Sequence, residues 1–219
     1  MRIPFLKHPE SSPVSPVDTP EIDLAREEKS GWRAIISTVL ILIAAPLIAL
    51  TLTAFVFQSY QVEGPSMETT LHNNDRLIVL KVPRTLSRLT GHPFIPNRGD
   101  IIVFVKHNLV EYGQTGDKQL IKRVIGLPGD RVVVSEGKVT IYNNEHPNGF
   151  NPDTTLPYGG AIPNTLGEVD LTVPAGQLFV CGDNRSNSLD SRSFGTISSK
   201  DIVGKLIVRI FPVGEAKKF

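Results

Sequence analysis

Gln119-Leu120-Ile121-Lys122-Arg123-Val124-Ile125-Gly126 reads as a short, largely apolar strand with a lysine at its middle. Runs of the same kind recur at 77–80, 101–105, 132–134, 139–142, 171–173, 178–181 and 202–210. They are short, β-branched and bounded by turn residues. Leu127-Pro128-Gly129-Asp130 carries proline and glycine where a tight turn needs them, and Ser135-Glu136-Gly137-Lys138 predicts a hairpin. No amphipathic helix of any length is apparent beyond residue 58. Several runs are continuous rather than alternating, which predicts sheets buried on both faces. The expected fold class is mainly β, a two-sheet antiparallel domain. Residues 143–168, rich in Asn, Pro, Gly and Thr, read as a loop insertion.

A different pattern precedes these strands. No charged residue occurs from Ala34 to Val62, and from Ala34 to Phe57 nearly every position is apolar or a small hydroxyl. About 24 helical residues at 1.5 Å each cross a hydrocarbon core of roughly 30 Å, so residues 34–57 predict a single transmembrane α-helix, with Pro46 a mild kink. A cleaved secretory signal fits less well: its apolar core is usually about 7 to 15 residues, and no Ala-x-Ala site follows this one. Arg26, Lys29 and Arg33 precede the helix and the first cation after it is Arg76. The amino end is therefore expected in the cytoplasm of a cell whose plasma membrane the chain crosses once, with residues 58–219 outside. Residues 1–33 form a polar tail. Pro4, Pro9, Pro13 and Pro16 mark its start as disordered by composition, and Thr19-Pro20-Glu21 has the cap, proline and acid of a helix start.

Composition bounds the chemistry. The 219 residues carry a formal net charge of +1, with 40% hydrophobic and 21% charged residues. Residues 58–219 hold 18 Lys and Arg against 16 Asp and Glu, a balance with no electrostatic footprint for nucleic acid. Cys181 is the only cysteine, so the domain stands on its core without an internal disulfide. His72, His92, His107 and His146 are scattered with no Cys/His spacing, which gives no support for a metal site, and no cofactor is expected.

Two residues suggest a hydrolase. Ser66 sits in a glycine- and proline-containing turn, Gly64-Pro65-Ser66-Met67, just beyond the apolar segment. A serine hydroxyl is a weak nucleophile until a neighbour takes its proton, and a neutral lysine amine can do so. An ordinary lysine is neutral in only about one molecule in 2,500 at pH 7. Lys122 shares a strand face with Leu120 and Val124, and burial there is expected to lower its pKa. Taken alone, Lys122 reads as a snorkelling strand-edge lysine and Ser66 as a turn serine.

The surrounding sequence decides between these readings. Gly64-Pro65-Ser66-Met67-Glu68-Thr69-Thr70-Leu71, Asp75-Arg76-Leu77-Ile78-Val79-Leu80-Lys81, Arg98-Gly99-Asp100-Ile101-Ile102-Val103-Phe104, Ile121-Lys122-Arg123-Val124-Ile125-Gly126-Leu127-Pro128-Gly129-Asp130 and Gly182-Asp183-Asn184-Arg185-Ser186-Asn187-Ser188-Leu189-Asp190-Ser191-Arg192 resemble, in order, the sequence boxes of the bacterial type I signal peptidases, the Ser/Lys-dyad peptidases of family S26. The resemblance implies a membrane-bound serine endopeptidase that removes signal peptides from exported preproteins at Ala-x-Ala-like sites. Ser66 would be the nucleophile and Lys122 the general base. Ser188 would orient the lysine, while Asp183, Asp190, Arg192 and Arg123 brace the site. Tyr60, Val62, Met67, Leu71, Leu120 and Ile121 would line the substrate site. The implied partners are signal peptides, membrane lipid and, by proximity, the export translocon.

Three positions depart from the family pattern. Thr69 and Ser186 stand where many relatives have proline and aspartate. Gly64 stands where some have a hydroxyl residue that completes the oxyanion hole, which leaves only the backbone N–H of Ser66 assigned as a donor. Two alternatives compete. A self-cleaving Ser/Lys protein of the repressor type would carry a DNA-binding region and no membrane helix. A tethered β-domain that binds export substrates would have a degenerate site, whereas Ser66, Lys122, Ser188 and Asp190 are all intact.

Overall fold

A computed structural model describes residues 24–111, 113–158, 162 and 164–219; the proline-rich tail and the Thr19 helix start lie outside them. The chain divides into two compact units, one up to Leu47 and the other Ile48–Phe219. The apolar segment is helical: α1 spans Leu24–Thr51 with Pro46 inside it, and a π-helical turn, Leu52–Val56, follows. Its hydroxyls turn inward along the helix, with Ser37 and Thr38 donating to the Ala34 carbonyl at 2.9 and 2.8 Å and Thr53 to that of Ala49 at 2.9 Å. This satisfies polar groups that would otherwise be costly on an apolar surface. Gly31–Val56 has a mean hydropathy of 2.7 and none of it is buried. A helix apolar all round and uncovered by protein is suited to lipid.

The second unit is antiparallel β. Its strands are β1 Phe57–Gln61, β2 Arg76–Leu80, β3 Ile101–Glu111, β4 Gln114–Gly126, β5 Arg131–Ser135, β6 Lys138–Tyr142, β7 Val169–Thr172, β8 Gln177–Cys181, β9 Ile197–Ser198, β10 Ile202–Phe211 and β11 Lys217–Lys218. The larger sheet runs β1-β2-β10-β3-β4-β8-β9, with β11 beside β10, and the smaller runs β6-β5-β7. The continuous apolar runs are buried on both faces, as expected. Along β4 and β8, Val124, Leu178 and Val180 enter a core with Ile102, Phe104 and Ile202, while Ile125, Phe179 and Cys181 enter another with Val132, Val134 and Ile141. Burial pushes the Cys181 thiol well above its ordinary pKa, with the Asp190 carboxylate adding to the effect. The turns form where expected: Asp130 N–H donates to the Leu127 carbonyl at 3.0 Å, and Glu136 and Gly137 take φ of 51° and 76° in the hairpin.

One element contradicts the reading of the sequence. A nine-residue helix, α2 Val82–Thr90, follows β2, with a proline in its first turn and Gly91 at φ 72° closing it. It is amphipathic but short, and its apolar positions are only Val82, Leu86 and Leu89. The 143–168 segment is largely irregular yet not idle: Phe150 bridges Ile141, and a helical turn at Pro152–Thr155 buries Asp153.

Candidate active site

Strand register brings three distant segments together. Ile102 faces Lys122 across the β3–β4 pair, and Arg123 faces Cys181 across the β4–β8 pair. Side chains alternate along a strand, so the two adjacent cations leave β4 on opposite sides. Lys122 reaches the turn after β1, and Arg123 reaches the loop that starts as β8 ends.

The serine turn is closed by its own backbone, with Val62 N–H donating to the Asp75 carbonyl and Asn74 N–H to that of Val62, both at 2.9 Å. Gly64 has φ 87° and Thr69 φ 84°. Proline cannot adopt that angle, so Thr69 belongs to a left-handed turn rather than to a proline-held one that has lost its ring. Beneath the turn, Met67 and Leu71 are fully buried with Val62, Leu77, Ile101 and Leu206. They floor the turn and do not line the cleft, because the short Met67–Leu71 turn points both inward. Above them the Lys122 amine donates to Ser66 Oγ at 2.7 Å and to the Ile121 carbonyl at 3.1 Å, and the lysine is 3% exposed.

The polar run after β8 packs behind the serine. Asn184 donates its backbone N–H to the Ser66 carbonyl and its Nδ2 to that of Pro65, both at 3.1 Å. Gly182 lies so close that an added Cβ would stand 2.4 Å from the Ser66 carbonyl oxygen and 2.3 Å from Ser188 Oγ. Its N–H donates to Asp190 Oδ2 at 3.0 Å, and Arg185 Nε donates to its carbonyl at 3.0 Å. Arg192 holds Asp190 through Nε at 2.9 Å and its terminal nitrogen at 2.8 Å. Ser188 Oγ is buried and has no hydrogen-bond partner among the described residues. On the other side, Arg123 clasps Asp183 at 2.8 and 2.5 Å, donates to the Gly99 carbonyl at 2.7 Å and lies 4.2 Å over the Tyr158 ring. Burial, with the Asp153 carboxylate adding to it, raises the Tyr158 phenol far above its ordinary pKa.

Several of these groups carry no role in the sequence reading. Arg185 and Gly182 belong to the quoted box, but Asp153 and Thr165, which pair with the fully buried Arg185 guanidinium, sit in the segment read as a loop. The one signal was the arginine itself, since a cation buried at the end of an apolar strand requires an acid somewhere.

An open cleft of about 230 Å³ runs up to the pair, lined by Tyr60, Val62, Leu120 and Ile121 together with Ser66 and Lys122. Of the six residues expected to line a substrate site, Tyr60, Val62, Leu120 and Ile121 line this cleft, and Met67 and Leu71 lie in the core beneath the turn. Chemically, the arrangement offers a hydroxyl in contact with an amine, at the end of a groove lined by apolar side chains and by Gln61, Glu63 and Gln119, with three buried ion pairs fixing the segments behind the serine.

Known proteins carry the same sequence plan. The profile of the family described as "Signal peptidase, peptidase S26" matches residues 35–211. The chain is 33% identical over 198 residues to a signal peptidase I of Bacillus licheniformis, covering 88% of this chain and 98% of that one. It is 38% identical over 168 residues to one of Leptolyngbya laminosa, covering 76% and 75%. A crystal structure of a signal peptidase I from Enterococcus faecalis aligns at 31% identity and a TM-score of 0.37, covering 51% of this chain and 97% of that one. The match extends over most of the chain and takes in every segment that meets at the cleft, so this chain belongs to the signal peptidase family, peptidase S26, and is a serine peptidase.

Proposed function

We propose that the enzyme removes signal peptides from exported preproteins by a Ser/Lys dyad. The observation that carries this reading is the 2.7 Å contact between Lys122 Nζ and Ser66 Oγ at the end of the cleft. A neutral amine has two N–H groups and one lone pair. In the neutral amine the 2.7 Å contact reverses, the Ser66 hydroxyl donating to the lone pair while the Ile121 carbonyl accepts an N–H at 3.1 Å. Ser66 Oγ then attacks the scissile carbonyl while Lys122 takes its proton, and the Ser66 N–H supports the developing oxyanion. The resulting ammonium gives that proton to the leaving amine, and an acyl-serine remains. Water, deprotonated by the same lysine, attacks this ester; the proton returns to Ser66 as the acid product leaves.

The remaining groups support the pair. Asp190 and Arg192 hold Gly182 against the serine, Arg123 and Asp183 hold the strand end, and Ser188, packed against Gly182, takes the orienting role that the family resemblance gives it. A cleft of about 230 Å³ suits small side chains, consistent with Ala-x-Ala selection, and an extended peptide supplies backbone hydrogen bonds whatever its sequence. In this reading residues 1–33 stay in the cytoplasm, 34–57 cross the plasma membrane once, and 58–219 work outside it, beside the export translocon. Anchoring the enzyme in the same lipid as its substrate raises their effective concentration.

The test is cleavage of a preprotein with an Ala-x-Ala site by detergent-solubilised protein, beside Ser66→Ala and Lys122→Ala, with the cut read by mass spectrometry. Cleavage after the second alanine, absent in both variants, is expected. A preprotein that is bound but left whole would sink the reading.

A further inference from the structure

α2 carries a surface that neither the cleft nor the core uses. Val82, Leu86 and Leu89 are 39%, 56% and 80% exposed and, at spacings of four and three, form one stripe along the helix. No residue of α2 is buried. Arg84 and Arg88 fall on the opposite side of the helix, where with Ser87, Phe94, Gln177 and Lys200 they border a second cleft of about 580 Å³. Arg84 Nε is buried without a hydrogen-bond partner among the described residues.

The attachment of α2 says what covers the stripe. Lys81 N–H donates to the Val56 carbonyl at 2.7 Å, Lys81 Nζ to that of Thr53 at 3.0 Å and Thr85 Oγ1 to that of Phe55 at 3.2 Å. The helix is thus bound to the last turn of the apolar stretch Gly31–Val56, where Leu52, Phe55 and Phe57 are 44%, 57% and 39% exposed. An apolar stripe starting where a span leaves the hydrocarbon, with arginines on the reverse side, is the pattern of a helix lying in the lipid interface. A protein partner would need no such continuity with residues 52–56.

Resting on the reading of residues 31–56 as a membrane span, we propose that α2 is an interfacial helix: Val82, Leu86 and Leu89 are immersed at the acyl boundary, and the exposed Arg88 and Lys200 meet anionic headgroups. Asp201 is the acid that acts on Arg84, and Arg84 in turn acts on the Tyr60 phenol, whose pKa burial raises and the cation lowers. The turn Leu52–Val56 to which α2 is bound runs directly into β1, whose Tyr60 lines the catalytic cleft, so the docked helix holds the mouth of that cleft at the headgroup layer, where a substrate whose apolar segment remains in lipid comes out.

The full chain in phosphatidylglycerol-containing vesicles provides the test. An environment-sensitive fluorophore is placed on Leu86→Cys, on Leu42→Cys within the span and on Glu136→Cys at the hairpin; Cys181 is wholly buried and stays unlabelled. Quenching of the Leu86 label by brominated lipid, as for Leu42, with iodide quenching only Glu136, is the expected result. Iodide quenching at Leu86 while Leu42 stays in lipid overturns the interfacial helix and leaves the span intact. Iodide quenching at both overturns the span and the proposal with it. A Leu86 label shielded from both quenchers means a protein covers the stripe, which also overturns it. In the same vesicles Leu86→Glu with Leu89→Glu lowers preprotein cleavage about tenfold or more, and leaves cleavage of a short peptide in detergent unchanged. Equal loss in both assays, or none in vesicles, is the contrary result. Arg88→Gln with Lys200→Gln removes the advantage of phosphatidylglycerol over phosphatidylcholine vesicles, about fivefold per cation; an unchanged advantage removes the headgroup contact.

Discussion

Gly182 has no room for even a methyl group, because its neighbours are the backbone of the nucleophile and the Ser188 side chain. Gly182→Ala is therefore expected to push the serine turn away from Lys122, costing about 1–3 kcal/mol in stability and most of the activity, which thermal unfolding and peptide cleavage measure together. Ser188 behaves differently. Its buried hydroxyl has no hydrogen-bond partner among the described residues, and an unsatisfied group of that kind costs about 1–3 kcal/mol. Ser188→Ala should raise the melting temperature while lowering kcat; a lower melting temperature would mean the hydroxyl is bonded in the resting enzyme. At Thr69 a β-branched residue holds φ 84°, a strain of about 1–3 kcal/mol. Thr69→Gly is expected to stabilise and Thr69→Pro to destabilise, with urea midpoints giving both signs. Ser66 and Lys122, which the fold brings to 2.7 Å, stood out in the sequence only through the boxes around them, since each alone reads as an ordinary turn serine or strand lysine. Met67 and Leu71, assigned to the substrate site by resemblance, lie in the core because the turn after the serine, closed by Leu71 N–H donating to the Met67 carbonyl at 2.8 Å, sends both inward.

Among the elements, β4 and β8 could be read because burial on both faces writes an uninterrupted apolar run. α2 could not, since its three apolar residues face outward and contribute nothing to a core, leaving only Pro83 and Gly91 as boundary signals. Nor could the partnership of Arg185 with Asp153, which joins the end of β8 to a helical turn inside an irregular segment 32 residues earlier. That pair has a measurable signature. Removing one member of a buried ion pair costs about 3–5 kcal/mol, so Asp153→Ala should unfold at much lower denaturant concentration. Asp153→Leu combined with Arg185→Met should lose less than either single change. Additive losses in that double-mutant cycle would argue against the pairing.

At the scale of the whole molecule, the 172-residue unit Ile48–Phe219 contains all the described strands and the described contacts of the serine, the lysine and their supports. A protein shortened to residues 48–219 should retain its melting temperature in detergent. One shortened to 58–219 loses the carbonyls of Thr53, Phe55 and Val56 that hold Lys81 and Thr85, and is expected to melt several degrees lower; equal melting temperatures would show those bonds to be dispensable.

Lys122 and Arg123 are adjacent in the chain and opposite in direction, and that parity has a consequence for how such a chain can change. Inserting or deleting one residue between the tip of the β3–β4 hairpin and Lys122 would exchange the two cations, aiming a permanently charged guanidinium at the serine and an amine at Asp183. Length variation should therefore be tolerated in the exposed hairpin tip, where it can loop out, and forbidden a few residues later. The reading frame of the ladder is as much a part of the active site as the serine.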